Sequence, residues 1–219
     1  KEIILNIVNQ PNNKKIIIFL GVLIFAIQSL VSIIFVSVNF PISDDWPAVF
    51  AGIYYQQNDS SWIDAILSGG GEHFLYFYRL VMMGGFLLNS FDVQQFMFLN
   101  WGFLLVSTGI FYSLLKKTDA RLTWLIIPLS AFIFSPKMVS TDLTASIGLI
   151  WIGTFFFLVS IVVILDKQKL SKFWFALAIC LSIIATTTSA LGLLSWIIGA
   201  LFLILRYKEN KKNLLIWIG

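Results

Sequence analysis

The sequence predicts an all-α, polytopic integral membrane protein with about six transmembrane helices and one or two helices on the membrane surface. Of its 219 residues, 58% are hydrophobic and 12% are charged, whereas roughly 25% of the residues in soluble domains are charged. The mean hydropathy is +0.89, and the charges are concentrated between long apolar runs. These figures exclude a disordered chain and a nucleic-acid-binding domain, since both require more polar and charged surface.

Apolar runs predict the spans in order along the chain. Ile16–Val38 carries no charge and exceeds the roughly 20 residues that a bilayer core requires. The other predicted spans are Phe96–Leu115, Leu122–Phe134, Ile147–Leu165, Phe173–Thr187 and Leu191–Leu205. The last two come from one long run that the motif TTTSALG breaks, so they are predicted to form a hairpin. Residues 1–219 are predicted to form a single transmembrane module, the N-terminal part of a longer chain.

The segment Phe74–Phe91 is long enough to cross a bilayer, but it carries Arg79 and a Gly-Gly pair. Lys and Arg are concentrated in cytoplasmic loops. If this segment lies on the outer surface, 13 of the 15 basic residues fall on the cytoplasmic side, and only Arg79 and Lys137 fall outside. If it crosses, the three later basic clusters move outside. The sequence therefore predicts a cell-membrane protein with a cytoplasmic N-terminus and residues 39–95 as an extracytoplasmic loop containing surface helices.

Two adjacent carboxylates, Asp44 and Asp45, follow the first predicted span in the motif SDDWP. Such a pair repels itself unless a cation or hydrogen-bond donors offset the charge. One interpretation is a general base together with a metal or substrate ligand. The other is an ordinary helix start, because Asp before Trp46 and Pro47 suits the first turn of a helix.

Glu72 and His73 open the predicted surface segment after a glycine-rich stretch. On a helix, Glu72, Tyr76 and Arg79 would share one face, leaving the apolar residues to face lipid. A structural acidic first turn is the alternative interpretation. Arg79 is harder to explain structurally, because a cation in an apolar helix requires a partner.

Lys137 and Asp142 lie between two predicted spans on the same outer side. They are either ligands for an anionic group and a substrate, or members of a plain polar loop. Motifs for nucleotide binding, zinc proteases, thiol redox chemistry and serine hydrolases are absent from the sequence. The single cysteine, Cys180, is predicted to be a packed helix residue.

The order of these elements resembles the N-terminal module of GT-C superfamily membrane glycosyltransferases, which use polyprenyl-phosphate sugars. The matching pieces are SDDW, the following Trp46–Leu67, and the segment GEHFLYFYRLVMMGGFLL. The later runs FLNWGFLLVSTGIFYSLLKK, SPKMVSTDLTASIGLIW and TSALGLLSWIIGALFLI are also similar. In this chain the two acidic residues are adjacent, whereas one residue separates them in the family pattern.

The resemblance implies transfer of a sugar from a polyprenyl-phosphate donor to an acceptor on the extracytoplasmic face. Asp44 or Asp45 would act as general base, and the other would hold the acceptor or a divalent cation such as Mg²⁺ or Mn²⁺. Glu72, His73, Arg79, Lys137 and Asp142 would form the substrate-binding set. The expected partners are the lipid-linked donor, membrane lipids and other membrane subunits, with no nucleic acid. The alternative is a non-catalytic multi-pass subunit of a larger membrane complex.

Overall fold

The computed structural model describes residues 11–37, 40, 45–57, 61–67, 76–89, 92–135, 145–167, 170–206 and 211–218, and every element in these ranges is helical. The all-α class is therefore confirmed for the described chain. In order, the helices are α1 (Pro11–Val36), α2 (Asp45–Gln57), α3 (Trp62–Leu67), α4 (Tyr76–Asn89), α5 (Val93–Thr118), α6 (Ile126–Ile133), α7 (Ala145–Gly148), α8 (Thr154–Leu165), α9 (Lys172–Thr188), α10 (Leu194–Arg206) and α11 (Lys211–Ile218). Short 3₁₀ helices precede α6 (Ala120–Leu125) and α10 (Ala190–Leu193), and a π-helical turn (Leu149–Gly153) joins α7 to α8.

Polar side chains set the boundaries of the central helices. The Asp92 carboxylate caps α5 by accepting from the N–H of Gln94 at 3.0 Å. At the other end, Asp119 donates its N–H to the Leu115 carbonyl at 3.0 Å and accepts from the N–H of Arg121 at 2.7 Å. One residue thus ends α5 and starts the next 3₁₀ helix. Such a short connection makes α5 and α6 antiparallel neighbours.

Three basic turns meet at one end of the helix bundle, here called the basic end. The Lys14 ammonium group donates to the Ala120 carbonyl at 2.6 Å, which places the start of α1 against the turn after α5. Lys117 forms an ion pair with Asp166, which brings the turn after α8 to the same place. The sequence predicts that these clusters share one side, and the contacts place them at one end of the bundle.

The opposite end, here called the platform end, is where α1 finishes and α5 begins. The Gln94 side-chain amide donates to the Ser37 hydroxyl at 3.1 Å. Further along, the Trp101 indole donates to the Ala26 carbonyl at 3.2 Å. The chain therefore leaves the bundle at Ser37 and returns to the same end at Gln94. The helices in between, α2, α3 and α4, contact one another and form the platform.

Two of the described helices, spanning Asn12–Phe35 and Val93–Thr118, are long and apolar enough to cross a bilayer. The other predicted spans are shorter or interrupted. The predicted span Leu122–Phe134 falls on the 3₁₀ helix and α6, which together are about 24 Å long because a 3₁₀ helix rises 2.0 Å per residue. The predicted span Ile147–Leu165 contains the π-helical turn, and Leu149–Leu165 is among the shorter apolar helices.

The hairpin predicted from the TTTSALG break is confirmed. Helix α9 ends at Thr188, and the Ser189 hydroxyl accepts from the N–H of Leu191 at 3.2 Å to start the next 3₁₀ helix. The hydroxyls of Thr186 and Thr188 donate hydrogen bonds to carbonyls of α9, at 2.9 and 2.6 Å. These threonines therefore satisfy the backbone of their own helix.

Cys180 was predicted to be packed, and this prediction is wrong. Its side chain is exposed on α9, while Ala178 and Ser182 of the same helix are buried. The apolar run around Cys180 does not indicate which face of the helix packs, because nearly every position in it is apolar.

Candidate functional site

Two of the seven sequence-predicted site residues, Asp45 and Arg79, lie on helices of the platform. Helix α2 begins at Asp45, as the helix-start interpretation of SDDWP predicts. It packs against both α3 and α4, and α4 begins three residues after His73. The residues that the sequence analysis singles out in the first loop therefore border helices that contact one another.

Most of the predicted site lies outside the described residues. This holds for Asp44, Glu72, His73, Lys137 and Asp142, and for the side chain of Asp45. Within the described ranges, no group of three or more His, Cys, Asp and Glu residues could hold a metal ion. The divalent cation expected at Asp44 and Asp45 therefore stays a prediction.

Arg79 is the described member of the predicted substrate-binding set. Its side chain is half-buried on α4, and one guanidinium N–H donates to the Ile66 carbonyl at 3.2 Å. Ile66 lies in the last turn of α3, where a carbonyl has no partner within its own helix. Arg79 therefore joins α3 to α4. A guanidinium has five N–H donors in total, so one bond to a carbonyl leaves capacity for an anionic oxygen.

Apolar contacts seat the platform on the bundle. On α4, Tyr78 and Met82 are buried together with Phe96 of α5, and Val49 of α2 packs against this cluster. The phenyl rings of Phe77 and Phe157 meet edge to face, with centroids 5.4 Å apart, and this contact fixes the first turn of α4 on α8. The turn that carries Arg79 is therefore held by a packed core.

The outward face of α2 is apolar and aromatic. Phe50, Ile53 and Tyr54 are exposed on it, at the spacing that places side chains on one helix face. Phe50 stacks with Trp46, with ring centroids 5.6 Å apart. Exposed aromatic side chains of this kind are typical of the boundary between lipid and water.

Two polar residues that position the platform carry no functional signal in the sequence. The hydrogen bond between Ser37 and Gln94 joins the two ends of the segment that contains the platform. They lie 57 positions apart, and a single serine and glutamine beside apolar runs give no signal that they would meet.

The chain matches no protein-family model, no curated protein and no solved structure. The resemblance to GT-C glycosyltransferases therefore stays a prediction from the sequence motifs.

Proposed function

We propose that this chain is the polytopic membrane module of a glycosyltransferase, with its reaction site at the platform end. Support for membrane embedding comes from exposed apolar stripes on the bundle. Helix α1 buries only 22% of its most apolar stretch. Its exposed residues Ile16, Leu20, Ile27, Val31 and Ile34 recur at the spacing of one helix face.

A second stripe runs along α10. Leu194, Ile197, Leu201 and Ile204 are exposed there at spacings of three and four residues. A core helix of a soluble protein would bury such a face, and soluble monomers rarely expose apolar patches larger than a few hundred Å². Lipid is the environment that these faces fit.

Cysteine labelling tests whether the chain is embedded in a membrane with its basic end on the cytoplasmic side. In a Cys180→Ser background, single cysteines replace Asp64 in α3, Lys116 at the end of α5, or Lys167 after α8. We expect a membrane-impermeant maleimide to label position 64 in intact cells. Positions 116 and 167 should react only after the membrane is opened, because they lie at the basic end. Labelling of position 116 in intact cells would show that the basic end faces outside, which contradicts the predicted orientation.

The return of the chain to the platform end is the observation that carries the proposed activity. The Ser37–Gln94 hydrogen bond closes a segment of three short helices, as the resemblance to GT-C enzymes implies for their first outer loop. Five of the seven predicted site residues fall within this segment in the sequence, and Lys137 and Asp142 do not. The described platform packs on the bundle through apolar contacts, and it presents an apolar aromatic face suited to a lipid-linked substrate.

The proposed reaction assigns a role to each of these residues. An acceptor oxygen or amide nitrogen attacks the anomeric carbon of the donor, and the bond from that carbon to the phosphate oxygen breaks. Asp44 or Asp45 takes the proton of the acceptor. Arg79, His73 and Lys137 stabilise the charge on the departing polyprenyl phosphate. Glu72 orients His73 or Arg79, and Asp142 contacts the substrate.

The test of this activity is donor turnover by the full chain in proteoliposomes. A panel of radiolabelled polyprenyl-phosphate sugars is supplied with a mixed membrane-lipid acceptor fraction. We expect loss of label from at least one donor, with release of polyprenyl phosphate, relative to protein-free vesicles. A chain that inserts correctly but neither binds nor consumes any donor would instead be the non-catalytic subunit.

Arg79→Ala is expected to weaken donor binding about tenfold or more, because a hydrogen bond to a charged group contributes roughly 1.5–3 kcal/mol. Arg79→Lys should retain part of this affinity. The matched control is Arg121→Ala, since Arg121 is an exposed arginine at the basic end. Equilibrium binding of the donor to reconstituted protein is the measurement. Equal losses of donor affinity in the Arg79→Ala and Arg121→Ala variants would show that Arg79 does not bind the donor.

A further inference from the structure

A cleft of about 350 Å³ opens between α1 and α5 near the basic end. The lining residues of α1 begin at Lys15, and those of α5 begin at Leu105. Each helix contributes positions i, i+3, i+4 and i+7, so one face of each helix forms a wall over about 10 Å. The volume lies within the roughly 300–1,000 Å³ of ligand pockets. It is far from the platform.

The interior of the cleft is apolar and open. The Thr108 hydroxyl donates to the Leu104 carbonyl at 2.8 Å, so it is already satisfied within its own helix. A Cβ atom added at Gly109 would have no neighbour within 4 Å. Ile18, Val22 and Leu105 form most of the remaining wall. A hydrocarbon chain fits this surface, whereas a polar ligand would find no group to bind along it.

Charge is confined to the mouth of the cleft. The Lys15 side chain is exposed there, and it makes no ion pair or hydrogen bond with the described residues. The Tyr112 phenol group stands at the same end of the cleft. Lys116 and Lys117 follow on α5, one turn beyond Tyr112. An anionic group at the mouth would therefore meet positive charge, while its tail met only apolar side chains.

We propose that this cleft binds one acyl chain of an anionic phospholipid, whose phosphate is held by Lys15 at the mouth. Charge complementarity selects this occupant over a neutral lipid, because each basic residue near a membrane surface contributes about 1 kcal/mol of attraction to anionic lipid. The site is independent of sugar transfer. It rests on the proposed membrane embedding alone, so absence of sugar transfer would leave it untouched, and its own failure would leave the platform untouched.

The test is lipid retention by the full chain, measured by native mass spectrometry after titration with phosphatidylglycerol or phosphatidylcholine of identical chains. We expect one phosphatidylglycerol to be retained in preference to phosphatidylcholine. Glycerol phosphate, which has no acyl chain, should not bind. Equal retention of the two phospholipids, or binding of glycerol phosphate alone, would overturn the proposal.

Gly109→Leu fills the cleft and should reduce phosphatidylglycerol retention at least tenfold. Gly102→Leu is the matched control, because an added Cβ at Gly102 also has open space and this residue does not line the cleft. Lys15→Gln should reduce the preference for the anionic lipid about fivefold. Lys116→Gln, on an exposed lysine at the same end, should reduce it less. Equal effects of Gly109→Leu and Gly102→Leu, or of Lys15→Gln and Lys116→Gln, would contradict the proposal. They would show that the lipid is attracted to the surface in general and is not bound in this cleft.

A measurement on the unaltered protein removes any dependence on how the variants fold. Phosphatidylglycerol with a diazirine in its acyl chain is photolysed in nanodiscs containing the full chain. We expect crosslinks on the walls formed by Lys15–Val22 and Leu105–Tyr112. Crosslinks spread evenly over the exposed stripes of α1 and α10, with no enrichment on these walls, would contradict the proposal.

Discussion

Replacement of Asp44 or Asp45 by Asn is expected to lower the rate of sugar transfer by about 10²–10⁴-fold for the residue that serves as base, because a positioned general base typically contributes that much. The amide has nearly the same shape as the carboxyl group, so membrane insertion should be unchanged. Helix α2, which begins at Asp45, should also be retained. Transfer of label from the polyprenyl-phosphate donor, normalised to inserted protein, is the measurement.

Asp64→Asn is the matched control for this pair. Asp64 lies in the same outer segment on α3, and its side chain is exposed. It should transfer sugar at the rate of the parent protein. Parent rates in both the Asp44→Asn and the Asp45→Asn variants would show that neither carboxylate takes a proton in the reaction. Equal losses in all three variants would indicate a general effect of charge on the outer segment.

Gly192→Ala is expected to have the largest effect on stability. The turn between α9 and α10 brings Gly192 so close to α9 that an added Cβ would overlap the Ala185 carbonyl and approach the Thr186 nitrogen to 2.5 Å. These are backbone atoms, so no side-chain rotation can make room. The hairpin would have to open, and overpacking of this kind costs about 1–3 kcal/mol. The midpoint of thermal unfolding in detergent should therefore fall by several degrees.

Gly102→Ala serves as the control for that substitution. Gly102 lies within α5, and an added Cβ there meets no atom within 4 Å. Alanine also favours a helix by roughly 0.5–1 kcal/mol over glycine, so the midpoint should stay level or rise. A Gly192→Ala protein as stable as the parent would contradict this prediction. It would show that the turn can move away from α9 without a loss in the free energy of unfolding.

The features of the fold that depend on local sequence were predictable. Ser189 and the preceding threonines end α9 where the TTTSALG motif predicts a break, because short polar side chains bond to nearby backbone. The π-helical turn at Leu149–Gly153 was not predictable, since the apolar run around it has no change in composition. The packing of Trp217 on Gly199 was also beyond sequence reasoning. It depends on α10 and α11 folding back on each other.

The candidate site stays a prediction from the sequence, and Arg79 is the one member whose side chain the structure describes. Because charge is scarce in this sequence, Asp44, Asp45 and Arg79 are predicted to be functional, and Arg79 is predicted to need a partner. The described partner of Arg79 is the Ile66 carbonyl on another helix, and no spacing rule within one helix could indicate it. The α1–α5 cleft gave no signal either, because Gly109 and Lys15 are far apart in sequence and meet only through tertiary packing.

The contact between Lys14 and Ala120 also has a consequence for biosynthesis. The two residues are 106 positions apart, and ribosomes add roughly 5–20 residues per second. For about 5–20 s, then, the first helix exists without the turn that it finally contacts. Docking of the start of the first helix is therefore a late step in synthesis, and a translational pause before residue 120 would delay it further.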